Sequence, residues 1–154
     1  MIWLFRNGRR RHKYDVFVGR VMEPLVECKG RMANPGEVAR EMVEEAQADR
    51  ECCWVLHLNT AGRIVAKELV SMGTVDYTTV HPREVFRKAI LNGSHSIIVV
   101  HNHPSGKVDP SDCDFEICRQ LVEAGKVVGI EVTDFVIVEV TGGWWSWVES
   151  CKEG

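Results

Sequence analysis

Nowhere does this 154-residue sequence hold an apolar run approaching the ~20 residues that a membrane-spanning helix needs. Proline is scarce, at 5 residues, and with 45% hydrophobic and 27% charged residues the chain does not read as a disordered or low-complexity segment. A dominant charge of one sign is also lacking. The formal net charge of -3 exerts no general pull toward nucleic acid or an anionic membrane. The 6 cysteines include no Cys-x-x-Cys pair, and Cys52 and Cys53, adjacent in an extended run, would point to opposite faces of a strand. That pattern suits neither a zinc knuckle nor a disulfide framework, so reduced thiols and a cytoplasmic location are expected. Residues 1–5 are too short for a signal-peptide core, and the basic residues follow them rather than precede them.

What is present reads as one domain over 14–150 behind a basic arm over 1–13. Arg6, Arg9, Arg10, Arg11, His12 and Lys13 concentrate positive charge in that arm, which is expected to be solvated or disordered. Residues 14–26 read as extended. Asn34-Pro35 opens a helix running to about 48 with Val38, Met42 and Val43 inward. A β-rich run over 52–58 turns at Asn59-Thr60-Ala61-Gly62 into a second hairpin arm over 63–70. His81-Pro82 precedes a helix over 83–91 with Val85, Phe86, Ala89 and Ile90 as its apolar stripe, closed by Asn92-Gly93. Ile97 to Val100 is apolar on both faces, as a covered central strand should be. A third helix over 111–128 buries Phe115, Ile117, Cys118, Leu121 and Val122, and strands follow over 132–140 and 144–148. The order β-α-β-β-α-β-α-β-β predicts an α/β fold, a mixed α+β sheet with helices packed on it.

The chemistry concentrates between His101 and Asp114. In extended backbone alternate side chains share a face, so His101 and His103 can point at one spot. Ser111 reads as the cap of the third helix, which puts Asp114 at its third position, able to turn back over the helix start. Two neutral nitrogens and one anionic oxygen make three of zinc's four tetrahedral ligands, and the fourth position, left for water, marks a catalytic site. Zn2+ there would bring a water to a pKa near ~7, and a general base would still be needed. The many carboxylates of the chain leave that base unchosen. A plainer account makes the histidines surface residues and Asp114 a capping charge; three ligand types within one turn, beside Pro104, Gly106 and Pro110, weigh against it.

Two histidines and a carboxylate also suit Fe(II), although the interleaved helices disagree with the usual all-β setting of such oxygenases. A zinc nucleobase deaminase is disfavoured because its His-x-Glu and Pro-Cys-x-x-Cys elements are absent. Nucleic-acid association has only the basic arm in its support. His57 and His81 read as structural. Trp144, Trp145 and Trp147 read as core or edge packing, with a partner surface as the lesser alternative.

His-x-His-Pro followed by Ser-x-x-Asp resembles the metal signature of the JAB/MPN (JAMM) metalloprotease superfamily. The flanking text is similar to its bacterial RadC branch: Leu58-Asn59-Thr60, Val75-Asp76, Val80-His81-Pro82-Arg83-Glu84-Val85, Ala89-Ile90, His101-Asn102-His103-Pro104-Ser105-Gly106, Pro110-Ser111 and Ile130, together spanning about residues 50–140. The resemblance implies a JAB/MPN, cytidine-deaminase-like architecture and Zn2+ on His101, His103 and Asp114. It further implies Glu51 as the base that activates water and protonates the leaving amine, Ser111 as a hydrogen-bond donor at the oxyanion, and a protein or peptide substrate. Family members often carry Asp-His where this chain has Asp134-Phe135, so Asp134 is expected to support a ligand histidine while a proton relay through the missing imidazole is put in doubt. Full-length members also carry an N-terminal helix-hairpin-helix region, for which little room precedes the match, so DNA contact through that module is not expected.

Overall fold

The computed structural model describes residues 26–27, 33–73 and 80–153. Its elements are β1 (Val26–Glu27), α1 (Pro35–Glu41), a short 3-10 turn (Glu45–Gln47), β2 (Cys52–Leu58), β3 (Ile64–Met72), α2 (Pro82–Leu91), β4 (Ser96–Asn102), α3 (Asp112–Val128), β5 (Glu131–Val138), β6 (Trp144–Ser146) and α4 (Trp147–Glu153). The basic arm, most of the strand read over 14–26, and Val75-Asp76 lie outside the described residues.

Six strands form one mixed sheet in the order β1-β3-β2-β4-β5-β6, and only the β4–β5 pair is parallel. Both central strands are buried along their whole length, which is why their sequences lack polar alternation. The side chains nevertheless sort with period two. Cys52, Trp54, Leu56, Ile98 and Val100 join Val38 and Met42 of the α1 segment on one face. Cys53, Val55, Ile97 and Val99 join Val85 and Phe86 of α2 and Leu121 of α3 on the other. Each face therefore has its own core, and the adjacent cysteines divide between them. All five described cysteines are free thiols.

Three expectations need correction. The helix expected to reach 48 stops at Glu41, and the chain continues through a 3-10 turn. Lys67 of β3 explains the break: its ammonium donates to the Glu41 carbonyl at 3.2 Å and pairs with Glu45 at 2.5 Å, satisfying a helix-end carbonyl by a tertiary contact. Val43 and Ile90, expected inward, are exposed: Val43 lies in the turn that follows the end of α1, and Ile90 lies just past the arc that α2 buries. The strand expected over 144–148 ends at Ser146 and becomes α4. Ser146-Trp147-Val148-Glu149 has the spacing of a capping box, and the Ser146 hydroxyl accepts from the Glu149 amide at 3.1 Å.

Candidate metal centre

The parallel pair β4–β5 needs a crossover, and α3 supplies it. The carboxyl end of β4 and the start of α3 therefore meet at one edge of the sheet, the place where open α/β sheets bind ligands. His101 lies near the end of β4 on the α2/α3 face, opposite Cys53 of β2 in the register. His103 follows the strand. Gly106, at φ 72°, lets the loop fold back, and the Lys107 carbonyl accepts from His103 Nδ1 at 2.8 Å. A carbonyl can only accept, so the proton sits on Nδ1 and His103 Nε2 keeps its lone pair.

Asp114 is positioned by the start of α3. Its backbone amide donates to the Ser111 hydroxyl at 3.2 Å, and its Oδ2 accepts from the Ser111 amide at 2.7 Å and from the Ser111 hydroxyl at 2.6 Å. This reciprocal cap turns the carboxylate back over the helix start, where it is buried beside both imidazoles. His101 Nδ1 lies 3.3 Å from Asp114 Oδ1, and His103 Nε2 lies 3.4 Å from Asp114 Oδ2. Two ligand atoms about 2.0–2.1 Å from a tetrahedral ion stand roughly 3.3–3.4 Å apart, so these separations are of ligand size. One donor atom from each of the three residues falls within 4.8 Å of the others.

His101 Nε2 is the buried ring atom that accepts no hydrogen bond and donates none. It faces Glu51 Oε1 at 3.3 Å, close enough for Coulombic contact but without hydrogen-bond geometry. An unsatisfied polar atom in a dry site costs about 1–3 kcal/mol, which a bound cation or its water would offset. The donor set thus fits a divalent cation. Burial takes the His101 imidazole down to about 4, against the opposing charge of Asp114, so it stays neutral and competent to ligate. The Asp114 carboxyl, though buried, is held down at about 2 by the adjacent His103 and His101 imidazoles and the bonds from Ser111. His103 is raised, first by its Asp114 partner. Glu51 is also raised, first by burial; His103 opposes that rise and Asp114 adds to it.

All five predicted site residues are therefore brought together, with Ser111 acting in this geometry as the cap that orients Asp114. Asp134 is different. Its Oδ2 accepts from the Ser146 hydroxyl at 2.6 Å and its Oδ1 from the Val148 amide at 3.1 Å, so it anchors the start of α4 and supports no ligand histidine. Phe135 stands edge to face with the His101 ring at 5.9 Å between centroids and supplies apolar packing there, with no imidazole for a proton relay at that position. Cys118, one turn below Asp114, is buried, and burial pushes its thiol up to about 12. His57 is structural as expected: it joins Ser94 at 2.6 Å and Glu68 at 3.3 Å in a buried network that Lys88 and Asn92 complete.

Asn102, between the two histidines, was not singled out by the sequence reading. It points to the opposite face and is fully buried. Its Oδ1 accepts from the Cys52 amide at 2.8 Å, and its Nδ2 donates to the Ala48 and Arg50 carbonyls at 3.3 and 3.1 Å. It clamps the backbone on both sides of Glu51 to the strand that carries the histidines. The readable signal was the period-two alternation of His-x-His, which puts the middle residue on the other face. Asn102→Ala is expected to leave zinc affinity within about threefold, lower stability by about 1–3 kcal/mol by stranding the buried Cys52 amide and two partly buried carbonyls, and lower turnover more than metal loading. Urea denaturation beside a chelator-competition titration checks this; equal losses of metal and turnover would show that Asn102 only maintains the fold.

A family model described as "RadC-like JAB domain" matches residues 32–152. Among relatives, a UPF0758 protein of Chlorobium chlorochromatii (strain CaD3) is 48% identical over 100 residues, covering 65% of this chain and 45% of the relative. UPF0758 proteins of Finegoldia magna and Desulforudis audaxviator are 47% and 45% identical, covering 68% and 73% of this chain and 48% and 49% of their own lengths. The chain spans about half the length of the curated relatives it matches. Among the described residues no helix is long and apolar enough to cross a membrane.

Proposed function

The chain belongs to the RadC-like JAB domain family, and from that premise we propose that it is a Zn2+-dependent hydrolase that cuts a peptide or isopeptide bond in a protein or peptide substrate. The observation that carries this reading is the convergence of His101, His103 and Asp114, with the partly exposed Glu51 carboxylate 3.3 Å from His101. A divalent cation held by those three residues supplies a Lewis acid for the scissile carbonyl and a lowered pKa for water.

The chain's own groups do the rest. Glu51 takes the proton of the attacking water at its carboxylate and returns it to the departing amine nitrogen. The Lys107 carbonyl holds the His103 tautomer, and Ser111 holds the Asp114 carboxylate. Ser111 is also the donor for the developing oxyanion. Because one O–H donates one bond, it takes that role only by releasing Asp114 Oδ2. Phe135 keeps the inner wall of the site free of water. The same reading keeps the protein in the cytoplasm, in agreement with the free thiols among the described residues.

The test is metal-dependent cleavage of a mixed peptide and isopeptide library, followed by mass spectrometry. Zinc-loaded protein is expected to cut a subset of bonds, to stop on chelation and to resume when zinc is returned. Loaded, folded protein that cuts nothing, or cutting that chelation leaves unchanged, overturns the proposal.

A further inference from the structure

A second stripe of α3 takes no part in holding the metal. Asp112, Phe115, Glu116 and Arg119 fall at i, i+3, i+4 and i+7, one continuous line along the helix. The line faces away from the buried row of Asp114, Cys118, Leu121 and Gly125. Trp147, at the start of α4, stands across from it, and the five side chains line an open cleft of about 430 Å³. One wall is aromatic: Phe115 meets Trp147 at 5.8 Å between ring centroids and is backed edge to face by Trp145 at 5.5 Å. No ion pair among the described residues engages Asp112, Glu116 or Arg119. The tryptophan cluster and the helix-start acid thus form one surface, although they lie more than thirty residues apart in sequence.

We propose that this cleft is the subsite that recognises a basic side chain of the substrate, an inference that rests on the hydrolase reading above. An arginine or lysine finds two complementary partners here. Its cationic head lies against the faces of Phe115 and Trp147, and its charge meets Asp112 and Glu116, one helical turn apart. Arg119 occupies the far end and repels a cation, which confines the side chain to the end nearest Asp112. An anion is matched less well, because Asp112 and Glu116 bring two negative charges to the lining against the one positive charge of Arg119. The cleft and Asp114 lie on different sides of one helix, about 10 Å apart by the diameter of a helix with its side chains. A substrate passes round the helix rather than through it, roughly 16 Å along half the circumference, or about five residues of extended chain. The basic residue therefore sits about five positions from the bond that is cut.

The test uses the full chain loaded with zinc and two capped peptides that differ at one position, arginine in one and its neutral isostere citrulline in the other. Binding is read by tryptophan fluorescence at low salt, and cleavage by mass spectrometry on the same samples. The arginine peptide is expected to bind about tenfold more tightly, and the exposed double variant Asp112→Asn/Glu116→Gln is expected to narrow that preference to within about twofold. Equal affinities in the native protein, or an undiminished preference in the double variant, overturn the subsite. Cleavage of both peptides with no preference for arginine overturns the subsite and leaves the hydrolase standing. Arginine-selective binding that the double variant loses, with neither peptide cut, supports the cleft and removes the hydrolase.

Discussion

Asp114→Ala is expected to lower zinc affinity more than the roughly 10–100-fold typical of removing a residue that merely supports a metal ligand. Three groups converge, and Asp114 alone brings formal negative charge, so its loss removes both a donor and the Coulombic part of binding. The substitution also breaks the reciprocal cap at the start of α3, at a cost of about 0.5–2 kcal/mol. Asp114→Asn separates the two effects. Asparagine keeps an acceptor for the cap, so stability should largely return while zinc affinity should not. Competition against a chromophoric chelator measures affinity, and elemental analysis measures stoichiometry, expected near one ion per chain in the native protein. Native-like affinity in both variants would sink the assignment of Asp114 as a ligand.

The second large effect is on chemistry alone. Glu51→Gln keeps the shape of the side chain and removes its ability to hold a proton. Metal loading and folding are expected to stay native, while cleavage of whatever library peptide the protein cuts falls by about 10²–10⁴. Retained turnover would assign the proton transfer to another group. Together with Asp114→Ala, this gives a two-way separation: one variant loses the metal and the activity, the other only the activity.

How much of this was legible in the sequence depends on how far apart the partners lie. His101, His103 and Asp114 are separated by 14 residues at most, counted inclusively, and joined by a strand end, a turn and a capped helix, so local periodicity was enough to bring them together. Glu51 lies 50 residues before His101, and nothing local distinguishes it from the acids around it. The family resemblance pointed to it, and the Cys53–His101 pairing of β2 with β4 is the physical reason it reaches the site. Asp134 was misread because its true partner, the amide end of α4, was hidden by a tryptophan-rich run whose β propensity outweighed the Ser146-x-x-Glu149 signal. The α1 helix was overextended because Lys67, which draws its end aside, lies on a strand 26 residues away.

By itself, then, the sequence determined the central strands, the three main helices and the donor set at the head of α3, because each follows from hydrophobic period, capping chemistry or ligand spacing within a short window. Only the tertiary structure decided that Asn102 clamps the backbone around Glu51, that Asp134 serves a helix rather than a histidine, and that Trp147 closes a cleft with Asp112 and Phe115. Those relations depend on which strands lie side by side and which helix crosses them. That is settled by burying two apolar faces at once, a property of the whole chain that no short stretch of it carries.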